Sequence, residues 1–417
     1  MKISWITTAI VLGAVSLTTT GAVVRDPSSA SVTVPQKTIN ASLLTYPPKS
    51  VLPELPFGTL LSLSRTSGFS FANASTGYAI GSKNLFTYVL KTTDGGRIWR
   101  TVGPAFTTGG AEATAGIGAV NAVSASVAVV YGAQATTPVI AVTEDSGQRW
   151  WVADLGDVLL TEATKGSEIW ALVSGPAPGI GPVRPPTWLY ESSNGGRTWH
   201  FRSTVLNMGG YSADLSWVSK NIAFALVGGV LDAMPWWTIV ETTDGGTHWS
   251  RLGDPCDMRF DDASVNFVER LQAASASSLW LLCGSQPGIG SQVKLVERSS
   301  DGGRSWVRTV AVGPGPDFVR GFPYMDYLEG IGSLNYLFVT SPTDAALLLA
   351  GSLPDPVLRT TDGGIRWAGS LPTRIADQFP QMIWVGPDFV YVKTQNALWF
   401  SRGWTRWILI YGSLKPY

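Results

Sequence analysis

The chain has 417 residues, with 30 basic and 30 acidic side chains and a formal net charge of zero. That balance removes the electrostatic reason to expect nucleic acid or an anionic membrane as partner. Only 14% of residues are charged, while glycine (46), proline (26) and tryptophan (18) are plentiful, a turn-rich composition that points to an all-β fold.

The first element is a leader. Lys2 precedes an apolar run from Ile3 to Leu17, and Gly21 and Ala22 offer a cleavage point. Residues 1–24 therefore read as a signal peptide or an N-terminal anchor. Thr and Ser interrupt the run, which is short of the ~20 apolar residues that span a bilayer, and this favours export. No cysteine lies near it, which excludes a lipoprotein, and no later segment is long and apolar enough to span. Membrane contact is expected only through an uncleaved leader, and the location is expected to be extracytoplasmic, either secreted or associated with the cell envelope. Residues 25–57 are rich in Ser, Thr and Pro and read as a linker that buries little apolar surface. The folded domain is expected over 58–417.

A turn then recurs along the chain. TTDGGRIW ends at Trp99, TEDSGQRW at Trp150, SSNGGRTW at Trp199, TTDGGTHW at Trp249, SSDGGRSW at Trp306 and TTDGGIRW at Trp367. A degenerate copy, FSRGWTRW, ends at Trp407, with Arg402 at the acidic position and Trp404 at the second glycine. The tryptophans are 51, 49, 50, 57, 61 and 40 residues apart, a period that marks a propeller or a solenoid. Each period has the same plan. In 68–103, GFSFAN, YAIGS, LFTYVLKTT and IWRTVG read as four strands, with DGGR as a tight turn before the last. Four strands in each of seven units predict a single seven-bladed β-propeller with four-stranded antiparallel blades. The segment FGTLLSLS (57–64) either completes the last blade or precedes the first.

The turn explains its own residues. Asp94, Asp145, Asn194, Asp244, Asp301 and Asp362 are placed to accept backbone N–H groups just ahead, and Asn serves as well as Asp, so charge is not required. Glycines such as Gly96 and Gly246 admit positive φ. The tryptophans are expected to pack between blades. Cys256 and Cys283 are the only cysteines; in an exported chain they read as one disulfide or as two buried thiols, since Cys283 lies in the apolar run LWLLCGS. Two cysteines and two histidines (His200, His248) are too few for a zinc site, so no metal and no cofactor are expected.

At these turns the chain resembles the Asp-box, or BNR, repeat family, whose pattern is Ser/Thr-x-Asp-x-Gly-x-Thr-Trp. The resemblance implies turns between the third and fourth strands of each blade, on the outer rim and away from the central binding face. It makes Asp94, Trp99, Asp145, Trp150, Asn194, Trp199, Asp244, Trp249, Asp301, Trp306, Asp362, Trp367 and Trp407 architectural. A calcium site built from the turn aspartates has too few oxygen ligands. A sialidase would carry an Arg-Ile-Pro motif and an arginine triad. The motif is absent, and the arginines outside the turns (Arg65, Arg184, Arg259, Arg270, Arg320, Arg374) are scattered. The unit plan, GYAIGS followed by KTTDGGRIW, is most similar to photosystem II stability/assembly factor-like proteins, which implies a non-enzymatic, extracytoplasmic binding or assembly scaffold. An arginine-rich patch like that of the photosynthetic members is not evident, so only the class is carried over.

Two sets of residues then compete for function. Trp236, Trp237, Arg320, Phe322, Tyr324 and Tyr327 are expected to offer an aromatic surface for a protein or carbohydrate ligand on the loop face opposite the turns. The alternative is a glycoside hydrolase, sialidase-like or glucan-cleaving. It would pair Asp254, Asp257, Asp261 and Asp262 with Asp317, Asp326 and Glu329, two acidic groups in consecutive blade-to-blade connections.

Overall fold

The computed structural model describes residues 36–412 apart from 46–57, 61–65, 84–85, 108–116, 135–136, 157, 176–185, 208–211, 232–233, 254–255, 257, 261–262, 286–293, 314–325, 330–333, 350–355 and 395. Seven antiparallel sheets follow one another along the chain, at 66–107, 117–153, 158–206, 212–253, 263–313, 334–369 and 382–412, which we number blades 1 to 7. Each contains four consecutive strands in sequential order, and the first strands of successive blades neighbour one another around the axis. This is the expected seven-bladed propeller. Among the described residues, α-helix is confined to Thr373–Ala376.

The hydrophobic core lies between the blades. Buried apolar side chains fall into seven clusters among the described residues, each joining two adjacent blades. The second strand of each blade supplies much of this. In blade 4, Phe224 and Leu226 face blade 5, whereas Ala225 and Val227 face blade 3, and none is more than 1% exposed. A strand covered on both faces has no place for polar alternation, so these runs are continuously apolar.

The recurring turn joins the third and fourth strands, and in blades 1 to 6 its Ser/Thr hydroxyl and its Asp or Asn side-chain oxygen make the same hydrogen bonds. In blade 1, the Thr92 hydroxyl donates to Asp94 Oδ1 (2.8 Å) and accepts the Gly96 N–H (2.9 Å), while Asp94 Oδ1 accepts the Ile98 N–H (3.0 Å). The Trp99 indole N–H donates to Gly96 O at 2.9 Å. In blade 3, Asn194 reproduces the aspartate's part, accepting the Thr198 N–H at 3.0 Å. The second glycine of each turn presses on the preceding blade. At Gly147 (φ 93°) an added Cβ would lie 2.0 Å from Val102 O. Blade 7 departs from this scheme: Trp404 adopts φ 64° and packs edge-on against Trp407, with ring centroids 6.1 Å apart.

The ring closes without strand exchange among the described residues, because blade 7 takes all four strands from 382–412. Side chains make the seam. Tyr391 of blade 7 stacks on Phe71 of blade 1 at 3.7 Å and 6°, and its hydroxyl donates to Ala74 O at 2.8 Å. The Trp384 indole donates to Phe71 O at 3.0 Å.

Part of the segment read as a linker is structured. Thr38–Asn40 pairs with the outermost strand of blade 3, and Ser42–Thr45 pairs with that of blade 2. Residues 58–60 then bridge the outermost strand of blade 1, where the Gly58 N–H donates to Thr101 O at 2.8 Å. The described part of the 57–64 segment, residues 58–60, therefore precedes the first blade and pairs with its outer edge, and it does not complete the last blade. The N-terminal region straps three outer edges in the order blade 3, blade 2, blade 1. Backbone pairing needs little apolar surface, which is why composition did not reveal it.

Candidate functional site

The repeat-turn residues do not converge on a site. Their tryptophans pack between blades, and their acidic side chains serve the turn itself or face outward, as with Asp244, whose side chain is 42% exposed beside His248. A pocket on this face between blades 6 and 7, lined by Asp344, Arg359 and Trp404 among others, has a volume of about 70 Å³.

Several sequence-predicted site residues (Asp254, Asp257, Asp261, Asp262, Asp317, Arg320, Phe322 and Tyr324) lie outside the described residues. Their described neighbours constrain the proposed pairing. Met258–Phe260, between Asp257 and Asp261, pairs with the innermost strand of blade 5. Asp326–Glu329, which contains Tyr327, pairs in parallel with the outermost strand of the same blade. Five strand spacings, about 24 Å, separate the two edges. Asp326 and Glu329 thus belong to an outer-edge strand, and the carboxylates of the 254–262 group with which they were expected to pair lie outside the described residues. The strand 326–329 satisfies an outer edge and does not cross the face.

Trp236 and Trp237 are neighbours on the third strand of blade 4, so they point to opposite faces. Trp236 packs towards blade 3 and Trp237 towards blade 5, both half-buried against the inter-blade clusters. They do not form one contact surface. Cys256 and Cys283 form a disulfide with a Cα–Cα distance of 5.7 Å, and both are fully buried.

A group that sequence reasoning missed lies at the axis. Glu162, Asp214, Arg270 and Tyr336 sit on the innermost strands of blades 3, 4, 5 and 6, and Tyr131 reaches in from the second strand of blade 2. Asp214, Arg270 and Tyr336 pair with Leu226, Leu282 and Leu348, equivalent leucines of the repeat, and therefore stand at one height. Register slips at Leu159/Thr161, Val268/Arg270 and Leu334/Tyr336 break the strict alternation of these strands. Such bulges re-aim side chains that would otherwise lie flat between sheets.

The inner edges carry unpaired backbone N–H groups, and side chains of the preceding blade satisfy them. Ser70 Oγ accepts the Ala122 N–H at 2.9 Å, Ser216 Oγ the Ala273 N–H at 3.0 Å and Gln272 Oε1 the Val339 N–H at 2.7 Å. Asp214 joins this scheme. Its Oδ2 accepts the Leu271 N–H at 2.8 Å, and its Oδ1 lies 3.5 Å from Arg270 Nη1. Burial pushes the Asp214 carboxyl up, and Arg270 and the Leu271 N–H offset part of that rise.

Glu162 differs. Burial pushes its carboxyl up to about 7, and Asn121 beside it only moderates the shift. Its Oε2 is sealed from solvent and has no hydrogen-bond partner. The Tyr131 hydroxyl is raised by burial and by the nearby Glu162 charge. The axis thus holds one carboxyl that is half-protonated near neutrality and a second that is gripped by an arginine. No group of three or more His, Cys, Asp or Glu placed to hold a metal occurs among the described residues.

No known family profile matches the chain, and no curated protein matches it. Solved structures do. The chain is similar to the GH74 xyloglucanase of Xanthomonas campestris, with 14% identity and a TM-score of 0.52 over 86% of this chain and 56% of that one. It spans about half the length of that enzyme. It is also similar to a PL25 ulvan lyase, with 14% identity and a TM-score of 0.48 over 83% of this chain and 94% of that one. Its solved neighbours include further glycoside hydrolases. At such identities the likeness shows the fold alone.

Proposed function

We propose that the protein is an exported, carbohydrate-active propeller, a glycoside hydrolase whose reaction centre is the axial group. The observation that carries this reading is the pair of acidic side chains in unlike surroundings, Glu162 and Asp214. Glu162 holds its proton near neutral pH and gives it to the departing glycosidic oxygen as the C–O bond breaks. Asp214, whose ionised form Arg270 and the Leu271 N–H favour against the cost of burial, directs water to the anomeric carbon and takes the proton that the water loses. Tyr131 and Tyr336 line the approach.

Three further observations support the reading. The Ser/Thr–Asp–Gly–Trp network fits an Asp-box propeller. The disulfide fits an oxidising, extracytoplasmic setting, in keeping with the leader expected from the sequence of residues 1–24. The axial group lies on the innermost strands of adjacent blades, and a glycan would reach it from the face opposite the turns. This reading sets aside the assembly-scaffold role implied by the resemblance to photosystem II factor-like proteins.

Incubation with a panel of neutral and acidic polysaccharides, read as reducing ends from pH 4 to 9, tests it. Turnover should fall above pH ~7, and Glu162→Gln should lower kcat by about 100-fold or more. Capture of a polymer with no cleavage at any pH would return the protein to the scaffold reading.

A further inference from the structure

Phe379 is held in a position that its own packing does not explain. It lies on the connection between blades 6 and 7, three residues before the innermost strand Met382–Val385, at the end of the blades opposite the repeat turns. Its backbone has φ 53°, a left-handed conformation that a bulky aromatic rarely adopts, and it directly precedes Pro380, which further disfavours that region. Burial of the ring would offset such strain, yet Phe379 is 66% exposed. Among the described residues it is the one exposed non-glycine with positive φ.

The segment is clamped on both sides of the ring. The Gln378 amide donates to Arg374 O at 2.9 Å, and its Oε1 accepts the Thr394 hydroxyl and the Trp399 indole, each at 3.3 Å. On the other side the Gln381 N–H donates to Lys393 O at 2.8 Å, and Lys393 Nζ donates to Gln381 Oε1 at 3.1 Å. Ile375 and Pro380 anchor the connection in the core. Strain persists where surrounding contacts over-determine it, and it concentrates at ligand-binding positions. The flanking side chains, Asp377 and Gln381, are exposed and polar.

We propose that Phe379 is a stacking platform for a pyranose ring, a subsite at the edge of the axial mouth. A pyranose presents an apolar C–H face that packs on an aromatic ring, while its equatorial hydroxyls need carboxylate and amide partners of the kind Asp377 and Gln381 offer. A rigid, pre-placed ring loses little entropy on binding, so the strain is offset when a sugar docks. The occupant is one unit of an extended glycan whose scissile bond lies at the axis, and in that respect the inference rests on the hydrolase reading above.

The test compares wild type, Phe379→Ala and Phe379→Trp, each checked for an unchanged thermal melt and oligomeric state. Retention on affinity gels containing xyloglucan, carboxymethylcellulose or polygalacturonate is measured alongside kinetics on any polymer cleaved and on a short aryl glycoside. Phe379→Ala should weaken retention by about tenfold. It should raise KM for the polymer by a similar factor and leave aryl-glycoside turnover unchanged, and Phe379→Trp should restore both. Polymer retained but not cleaved, with loss in Phe379→Ala, upholds the platform and removes the hydrolase reading. Equal retention by wild type and Phe379→Ala overturns the platform even if cleavage persists. No retention by wild type, or an oligomeric state that changes in Phe379→Ala, overturns it as well, the latter in favour of a self-association contact.

Discussion

Glu162 shows how one side chain can couple stability to pH. Its carboxyl has an ordinary value of 4.5 in the unfolded chain and about 7 in the fold. Between those values the native state keeps a proton that the unfolded state has lost, so stability falls as pH rises from 4.5 to 7 and then levels off. Glu162→Gln removes this dependence. Urea unfolding should find the variant about 1–3 kcal/mol more stable than wild type at pH 8, with the gap closed at pH 4. A gap of equal size at both pH values would show that the carboxyl does not titrate as described. Little in the order of residues marks this one out. A lone acid inside the strand VLLTEATK breaks an otherwise suitable pattern, as does Asp214 in SADLSW, but neither has a neighbour in sequence that marks it as functional. The turn aspartates were legible because each carries out its task within eight residues.

At the scale of elements, two features depend on packing across long sequence distances. The seam between blades 7 and 1 rests on Tyr391, which is 0% exposed. Tyr391→Phe keeps the stack on Phe71 and loses the hydroxyl bond to Ala74 O, and should cost about 1 kcal/mol. Tyr391→Ala leaves a cavity and should cost about 3–5 kcal/mol in chemical denaturation. Equal costs for the two variants would place the energy in the hydrogen bond and not in the ring. The second feature is the N-terminal strap, where Ile39 is 9% exposed and packs with Trp199. Ile39→Asp puts a charge into that cluster and should release the strand. Amide exchange at Phe201, whose N–H donates to Lys37 O at 3.0 Å, should then accelerate, while Leu189 in the third strand of blade 3 stays protected. Uniform acceleration across blade 3 would mean that the strap holds the whole blade and not its edge alone. The Ser/Thr/Pro-rich composition concealed the strap because edge pairing uses backbone groups, which every residue carries.

At the scale of the whole molecule, the disulfide ties the connection between blades 4 and 5 to the second strand of blade 5, closing a loop with a sequence separation of 27. Its removal by Cys256→Ala with Cys283→Ala should cost about 3 kcal/mol, read as a lower thermal midpoint. An unchanged midpoint would show that inter-blade packing alone sets stability. The seven-bladed ring was legible in the order of residues because its information is local and repeated: a hydroxyl, an acid or amide, two glycines and a tryptophan recur at near-constant intervals, and each turn closes through its own atoms. The axial group, the seam, the edge strap and the exposed Phe379 were decided by tertiary structure. Each brings together residues from distant parts of the chain, or sets one residue's backbone against its own preference, and only closing the ring fixes which strands, edges and faces meet.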